Sequence, residues 1–193
     1  KKKKSAILVG SVPEKLNRVK FVNRSYIFNA KGVQKSSYDK INLFDVNLNK
    51  NEKYLESKNY MAGKKLVVSD LLWGKLGMSI CYDLRFPNLY RKLTKKGAQF
   101  FSIPAAFTFT TGKAHWHSLI RARAIENGCF VFAPAQCGVH DNGRRTYGHS
   151  MIVNPWGKIL VEANKNKKQI ISTIINIDEI GHSRKKIPSM TQF

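Results

Sequence analysis

The middle of the chain constrains the fold most, because strand-like and helix-like segments alternate along it. Three short apolar runs, Trp73–Ile80, Phe100–Ile103 and Phe130–Pro134, have the length and composition of buried strands. Between them lie Leu89–Lys96 and Ala114–Asn127, each followed by a glycine that suits the end of a helix. Two successive strand–helix–strand crossovers predict that the three strands pair in parallel, and therefore an α/β fold.

The flanking sequence adds more strand-like runs and no sign of a second domain. Asn154-Pro155-Trp156-Gly157 predicts a turn between two of these runs. The chain has 193 residues, with no internal repeat and no linker, so we expect one layered α/β domain spanning residues 1–193. The additional predicted strands are Ala6–Val9, Val19–Phe28, Lys65–Val68, His149–Val153, Ile159–Glu162 and Ile170–Ile177.

The composition is strongly basic, with 34 Lys and Arg against 12 Asp and Glu and a net charge of +22. Such a charge favours contact with polyanions. The lysines are spread along the chain, however, and no nucleic-acid-binding motif is present, so we expect no specific nucleic-acid partner. No apolar run approaches the roughly 20 residues that span a bilayer, which predicts no membrane partner. The odd number of cysteines, Cys81, Cys129 and Cys137, favours a reducing, cytoplasmic setting.

Cys81 stands at the end of a predicted buried strand, before a polar turn and a helix start. Ligands meet parallel α/β sheets at the carboxyl ends of their strands, and backbone N–H groups after such a cysteine can face an oxyanion. A buried cysteine in the core fits the same local sequence, since free cysteine is among the most buried residues. The local pattern alone leaves both interpretations open.

Other motifs in the sequence decide between a nucleophilic and a structural Cys81. The segment Gly77–Pro87 resembles the cysteine motif of the nitrilase superfamily of carbon–nitrogen hydrolases, Tyr38–Asp45 resembles its lysine motif, and Tyr54–Ser57 lies where a supporting glutamate is expected. The resemblance covers essentially the whole chain and implies a four-layer α-β-β-α sandwich, no cofactor, and a homodimer or higher homo-oligomer. Further matching segments follow in order: Ile103–Phe107, Thr111–His117, Arg121–Asn127 and Tyr147–Gly157.

The resemblance assigns catalytic roles to Cys81, Lys40 and Glu56. Cys81 would attack an amide carbonyl and form a thioester acyl-enzyme. Lys40, with the Tyr82 backbone N–H, would stabilise the oxyanion and favour the Cys81 thiolate, while Glu56 would hold Lys40 or the substrate amide. Without the resemblance, Lys40 and Glu56 would be interpreted as solvated surface charges. The remaining oxyanion or substrate-binding candidates are Tyr82, Arg85, Phe107 and Thr108.

In the family, the general base is a glutamate that precedes the lysine by several dozen residues. This sequence has no clear counterpart of that glutamate. Glu14 is the tempting candidate, but Gly10–Glu14 resembles a later strand of the family, so we interpret Glu14 as a structural residue. We also expect the opening strand–helix–strand portion of the fold to be absent. The sequence therefore corresponds either to an N-terminally incomplete part of an enzyme or to a decayed enzyme that still folds, and it does not choose between them.

A metal site was considered because the chain contains His115, His117, His140, His149 and Cys137. An H-x-H pair shares a face on a strand, whereas this pair falls in a predicted helix, where residues three and four apart are neighbours. Many members of the family carry Glu at the position of His117, and the family uses no metal. The sequence predicts no metal site.

The segments Gln136–His140 and Thr146–Ser150, with Arg144 or Arg145 between them, most resemble the branch that hydrolyses deaminated glutathione. A basic pocket suits such a carboxylate-bearing amide. The rival within the family is an ω-amidase acting on 2-oxoglutaramate. The rival from another class is a catalytically inactive basic binding protein or scaffold that retains the fold.

Overall fold

The computed structural model describes residues 5–49, 52–164 and 168–190, so the Lys1–Lys4 run lies outside the described residues. The helices are α1 (Pro87–Lys95), α2 (Phe109–Asn127) and α3 (Asp178–Lys186). The strands are β1 (Ile7–Lys15), β2 (Phe21–Phe28), β3 (Gln34–Asp39), β4 (Asp45–Asn49), β5 (Glu52–Leu55), β6 (Val68–Leu71), β7 (Gly74–Met78), β8 (Phe100–Ser102), β9 (Phe130–Ala133), β10 (Cys137–Val139), β11 (Arg145–Tyr147), β12 (Met151–Val153) and β13 (Ile159–Glu162).

The central sheet of the described chain has six strands in the order β13-β12-β9-β8-β7-β6. Strand β8 pairs in parallel with both β7 and β9, which confirms the parallel pairing that the two crossovers predict. The hairpin β12–β13 is antiparallel, and its turn is the predicted one, in which Asn154 Oδ1 accepts hydrogen bonds from the N–H groups of Trp156 and Lys158 at 3.1 and 2.9 Å. Helix α1 follows β7 and α2 follows β8, so both crossovers carry a helix.

Apolar side chains cover both faces of this sheet. On one face, α1 and α2 pack on a core that includes Leu93, Phe101 and Trp116. On the other face, Met78 and Phe100 pack against residues of the second sheet, which runs β1-β2-β3 in the described chain. The resulting α-β-β order confirms the α/β class and corresponds to three consecutive layers of the four-layer sandwich.

Several predicted boundaries and one predicted strand differ from the structure. Residues Ile170–Ile177 form no strand, and the side chains of Ile170 and Ile174 are 97% and 98% exposed. β-branched composition favours a strand only where a neighbouring strand exists, and this segment pairs with none among the described residues, although Ile175 packs against the core between the two sheets. Helix α2 begins at Phe109 rather than Ala114, because Thr108 caps it by accepting a hydrogen bond from the Thr111 N–H.

Two of the glycines in helices test how tightly the layers pack. A Cβ on Gly112 of α2 would lie 2.3 Å from Tyr147 Cβ on β11, whereas a Cβ on Gly181 of α3 would meet nothing within 4 Å. We expect Gly181→Ala to raise the free energy of unfolding by about 0.5–1 kcal/mol, since alanine costs less backbone entropy in a helix. Gly112→Ala is expected to lower it by about 1–3 kcal/mol, because α2 must move away from β11.

Urea denaturation of both variants beside the unmodified chain measures this difference. The helix propensity gain is the same in the two variants, so Gly181→Ala is the matched control. An equal gain in stability at both positions would show that α2 and β11 are not in close contact.

Candidate active site

Cys81 follows the carboxyl end of β7 and begins a short 3-10 helix, Cys81–Arg85. Its backbone φ is +49°, a left-handed conformation that residues other than glycine rarely adopt. A hydrogen bond of 3.0 Å from its N–H to the Pro104 carbonyl holds this conformation. Strained backbone of this kind persists where the surrounding structure fixes it and clusters at functional sites. The Cys81 side chain is half-buried and lines a cavity of about 510 Å³.

The buried carboxylate of Asp83 joins the cysteine turn to the loop that follows β3. One oxygen accepts hydrogen bonds from the Ile80 N–H at 2.9 Å and the Tyr38 hydroxyl at 2.7 Å. The other accepts from the backbone N–H and side-chain amide of Asn42 at 3.0 and 2.8 Å. Burial raises the pKa of Asp83 despite these donors. Asp83 lies inside the Gly77–Pro87 motif, but the sequence analysis did not single it out.

Lys40 and Glu56 form an ion pair that lines the same cavity as Cys81, with Lys40 buried and Glu56 half-buried. The distance from Lys40 Nζ to Glu56 Oε2 is 2.5 Å, and Lys40 is 2% exposed. Glu56 also accepts hydrogen bonds from the Phe44 N–H at 2.6 Å and from the Asn23 amide at 3.3 Å. The alternative interpretation of Lys40 and Glu56 as solvated surface charges is therefore wrong.

Burial sets the protonation of the Cys81 thiol and raises its pKa above the ordinary value. The positive charges of Lys40 and Arg144 and a hydrogen bond from the Ala106 backbone lower it, but they do not outweigh burial. The charge of Lys40 therefore lowers the pKa of Cys81, as expected, but the thiolate is not the main form at neutral pH. A nucleophilic Cys81 would have to pass its proton to a base as it attacks.

The other predicted binding residues divide into two groups. Tyr82, Phe107 and Thr108 line the cavity, whereas Arg85 does not. The Arg85 guanidinium lies 5.3 Å from the centre of the Phe107 ring, and its Nη1 lies 3.2 Å from His115 Nδ1. Arg85 therefore contacts Phe107 of the cavity wall without lining the cavity itself, and its role in binding a substrate stays a prediction.

Arg144, and not Arg85, is the arginine that lines the cavity. Its Nη2 donates to the Ala106 carbonyl at 2.5 Å, and its guanidinium lies 5.2 Å from the centre of the Tyr54 ring. Its Nε is buried and has no hydrogen-bond partner among the described residues. The sequence left Arg144 and Arg145 equivalent. Other cavity-lining residues to which the sequence assigned no role include Ser11, Asn23, Phe44, Tyr54, Thr111 and Asn142.

Glu14 takes no part in the cavity lining. It lies in β1, where it accepts hydrogen bonds from Arg24 on β2 at 2.7 Å and from the Tyr26 hydroxyl. Arg24 in turn bonds to Asp39 at the end of β3, so Glu14 belongs to an ion-pair network across the second sheet. This placement agrees with its interpretation as a structural residue.

Comparison with known proteins identifies the family. The carbon-nitrogen hydrolase family matches residues 1–185. The chain is 46% identical over 173 residues to a deaminated glutathione amidase of Synechocystis and 44% identical over 178 residues to one of Yersinia enterocolitica, covering 89% and 91% of this chain. These alignments span 63% and 61% of those proteins, so the chain covers about three-fifths of the length of these relatives.

Solved structures agree with the sequence matches. The nitrilase and fragile histidine triad fusion protein of Caenorhabditis elegans superposes with a TM-score of 0.88 at 36% identity, over 97% of this chain and 46% of that one. Nit3 of Saccharomyces cerevisiae, from branch 10 of the nitrilase superfamily, gives 0.85 at 33% identity, over 97% and 65%. The chain belongs to the carbon–nitrogen hydrolase family and has the nitrilase fold. Within the described residues, no helix is long and apolar enough to cross a membrane.

The electrostatic coupling between Lys40 and Cys81 can be measured from the rate of thiol alkylation. Because Lys40 lowers the pKa of Cys81, we expect Lys40→Met to raise that pKa further and to slow alkylation by iodoacetamide several-fold at pH 8. The pH profile of alkylation should shift to higher pH. Mass spectrometry of the Cys81 peptide, in a Cys137→Ser background, measures the rate at this thiol alone.

Lys75→Met is the matched control, since Lys75 forms an exposed pair with Asp70 on β6 at 3.5 Å. It is expected to leave the profile unchanged. Thermal melts show whether each variant remains folded. Identical profiles for a folded Lys40→Met and for the unmodified chain would disprove the coupling.

Proposed function

We propose that the chain is a cysteine-dependent amidase that hydrolyses the amide bond of a small carboxylate-bearing substrate, with Cys81, Lys40 and Glu56 as its catalytic residues. The observation that carries the proposal is the placement of all three on one cavity, with Lys40 and Glu56 paired in its wall. Burying an ion pair costs desolvation free energy. An ion pair of this kind that faces a cavity therefore indicates a functional site.

The proposed reaction has two halves. Cys81 Sγ attacks the amide carbonyl carbon, the thiol proton is transferred to the departing nitrogen, and the carbon–nitrogen bond breaks to leave a thioester. Lys40 and the Tyr82 backbone N–H stabilise the negative charge on the carbonyl oxygen during attack. Water then cleaves the thioester, releasing a carboxylate and restoring the thiol. Glu56 holds Lys40 in position through the 2.5 Å ion pair.

The proposed substrate is deaminated glutathione. The name of the relatives at 44–46% identity supports it, and so does Arg144, a cation in the cavity wall with an unpaired buried Nε among the described contacts. A guanidinium binds a carboxylate through parallel hydrogen bonds. Both the proposed substrate and its rival within the family, 2-oxoglutaramate, give 2-oxoglutarate when the amide is cleaved. One product assay therefore compares the two.

The first test measures release of 2-oxoglutarate from each compound by the purified chain. We expect turnover of both, with kcat/KM for deaminated glutathione at least about tenfold higher, a difference in transition-state binding of about 1.4 kcal/mol. Cys81→Ala should abolish turnover, whereas Cys137→Ala, outside the described cavity lining, should retain it. A preference for 2-oxoglutaramate would identify an ω-amidase instead.

Absence of turnover by the folded chain would contradict an amidase activity of this chain. It would favour the basic binding protein, a reading that the net charge of +22 also supports. Salt-sensitive binding to a polyanion, together with slow alkylation of Cys81, would then be expected. Rapid, Lys40-dependent alkylation would instead point to a competent nucleophile whose proton acceptor is missing.

Arg144 is proposed to bind a substrate carboxylate. Loss of a hydrogen bond to a charged group costs about 1.5–3 kcal/mol, so Arg144→Gln should raise KM for deaminated glutathione about tenfold or more. Turnover of an amide substrate without a carboxylate should be unaffected. Arg145→Gln is the matched control, because Arg145 lies over the Phe109 ring at 3.9 Å and does not line the cavity. An equal loss on charged and neutral amides would assign Arg144 a structural role.

A further inference from the structure

Three side chains outside the cavity converge from separate elements on one point. His117 lies on α2, His149 precedes β12, and Glu162 ends β13. The Nε2 of His117 lies 2.9 Å from Glu162 Oε1, and His149 Nδ1 contacts the same oxygen. One nitrogen from each ring and a Glu162 oxygen all lie within 4.8 Å of one another.

The fold creates this cluster from residues that the sequence does not associate. His115 and His117 diverge as expected for a helix, since His115 contacts Arg85 while His117 contacts Glu162. The β12–β13 hairpin supplies the other two side chains, because Met151 of β12 pairs with Glu162 of β13 and His149 lies two residues before Met151. His115 and His117 therefore do not share a face, as the helical spacing predicts. That argument does not concern the group of His117, His149 and Glu162.

Two imidazoles and one carboxylate are a ligand set that Zn²⁺ uses, with water at the fourth position. Bonds of about 2.0–2.1 Å to a tetrahedral centre place neighbouring ligand atoms roughly 3.3 Å apart. The separation of 2.9 Å between His117 Nε2 and Glu162 Oε1 is close to that value, and no two of the three ligand atoms are more than 4.8 Å apart. In each ring the nitrogen that faces Glu162 becomes the ligand atom, and the ring proton resides on the other nitrogen.

The surroundings hold the cluster in place and leave it accessible. His149 has a φ of +58°, and its carbonyl accepts a hydrogen bond from Trp116 Nε1 at 2.8 Å. The Tyr147 ring stacks on the His149 ring with 4.3 Å between centres. The side chains of His117, His149 and Glu162 keep 33%, 19% and 30% of their surface exposed, so an ion can reach them from solvent.

We propose that His117, His149 and Glu162 bind one divalent transition-metal ion, for which Zn²⁺ is the best chemical match. The ion cross-links α2 to the β12–β13 hairpin. None of the three residues lines the cavity that contains Cys81, so the ion has a structural or regulatory role rather than a part in amide cleavage. The net charge of +22 opposes cation binding, which sets the expected dissociation constant in the micromolar range rather than the nanomolar range.

The test uses the full chain without a histidine tag, in a Cys81→Ala, Cys137→Ala background, so that accessible thiols do not compete for the metal; Cys129 is fully buried. Calorimetric titration with Zn²⁺ should show one ion per chain. At about one hundred times the dissociation constant, Zn²⁺ should raise Tm by roughly 5–10 °C. Co²⁺ should give visible absorption bands of a four-coordinate centre with nitrogen and oxygen ligands.

Variants at the three positions determine whether this cluster is the site. His117→Gln, His149→Asn and Glu162→Gln should each weaken Zn²⁺ binding at least about tenfold, the usual consequence of losing a ligand in a three-ligand site. Asparagine is chosen at His149 because it tolerates a positive φ. His182→Gln, an exposed histidine on α3, is the matched control and should bind Zn²⁺ unchanged. Thermal melts in EDTA show that each variant folds.

Two results would overturn the proposal. One is full Zn²⁺ binding by folded His117→Gln and Glu162→Gln, which would place the ion elsewhere. The other is no binding by the folded parent chain, which would leave the three residues as a hydrogen-bonded cluster that fastens the hairpin to α2.

Discussion

The carboxylate of Asp83 is the interaction on which the geometry of the candidate site depends. It is buried and accepts four hydrogen bonds, two from the loop after β3 and two from Ile80 and Tyr38. An ionised carboxylate loses much of its solvation when it is buried, and only a full set of donors offsets that loss. Each donor must therefore stay in place. The hydrogen bonds of Asp83 thus fix the turn that carries Cys81 relative to the loop that follows Lys40.

The two packed sheets explain why this position is at a cavity edge. Tyr38 belongs to the second sheet and is buried against the central sheet, while its hydroxyl reaches Asp83 beside the end of β7. Lys40 follows two residues later, beyond the end of β3, and its N–H bonds to the Asn23 carbonyl at 2.9 Å. The packing of one sheet on the other thus brings a lysine from the second sheet next to a cysteine from the first. Neither sheet alone contains both groups.

Sequence reasoning succeeded where local patterning and tertiary packing agree. The parallel strands β7, β8 and β9 are mostly apolar, with Lys75 and Ser102 as their polar residues, and the glycines after α1 and α2 end both helices with positive φ, as at Gly97 and Gly128. It failed at Ile170–Ile177, where strand propensity has no neighbouring strand to pair with in the described chain, and at α3, whose only buried apolar residue is Ile180.

The candidate site also contains residues that the sequence predicts and residues that it does not. Cys81, Lys40 and Glu56 were predicted because they lie in segments that resemble the motifs of the nitrilase superfamily. That Arg144, and not Arg85, lines the cavity was not predictable, because it depends on the direction of two side chains on different elements. His117 and His149 were among the metal-site candidates in the sequence, but Glu162 was not, since the three meet only after β12 and β13 pair and α2 packs beside them.

The protonation of Cys81 gives Lys40 a particular place in the proposed reaction. If Lys40 already held Cys81 as a thiolate before substrate binds, its charge would stabilise the ground state as well as the transition state and would contribute less to rate. Burial raises the pKa of Cys81 above its ordinary value even with Lys40 present, so the resting thiol stays neutral. Negative charge then appears near Lys40 when the carbonyl oxygen develops it during attack, inside a cavity wall that holds the ammonium group through Glu56. The ammonium group is already paired with the Glu56 carboxylate before substrate binds, so in the proposed reaction it lowers the barrier by being fixed in advance rather than by being unpaired.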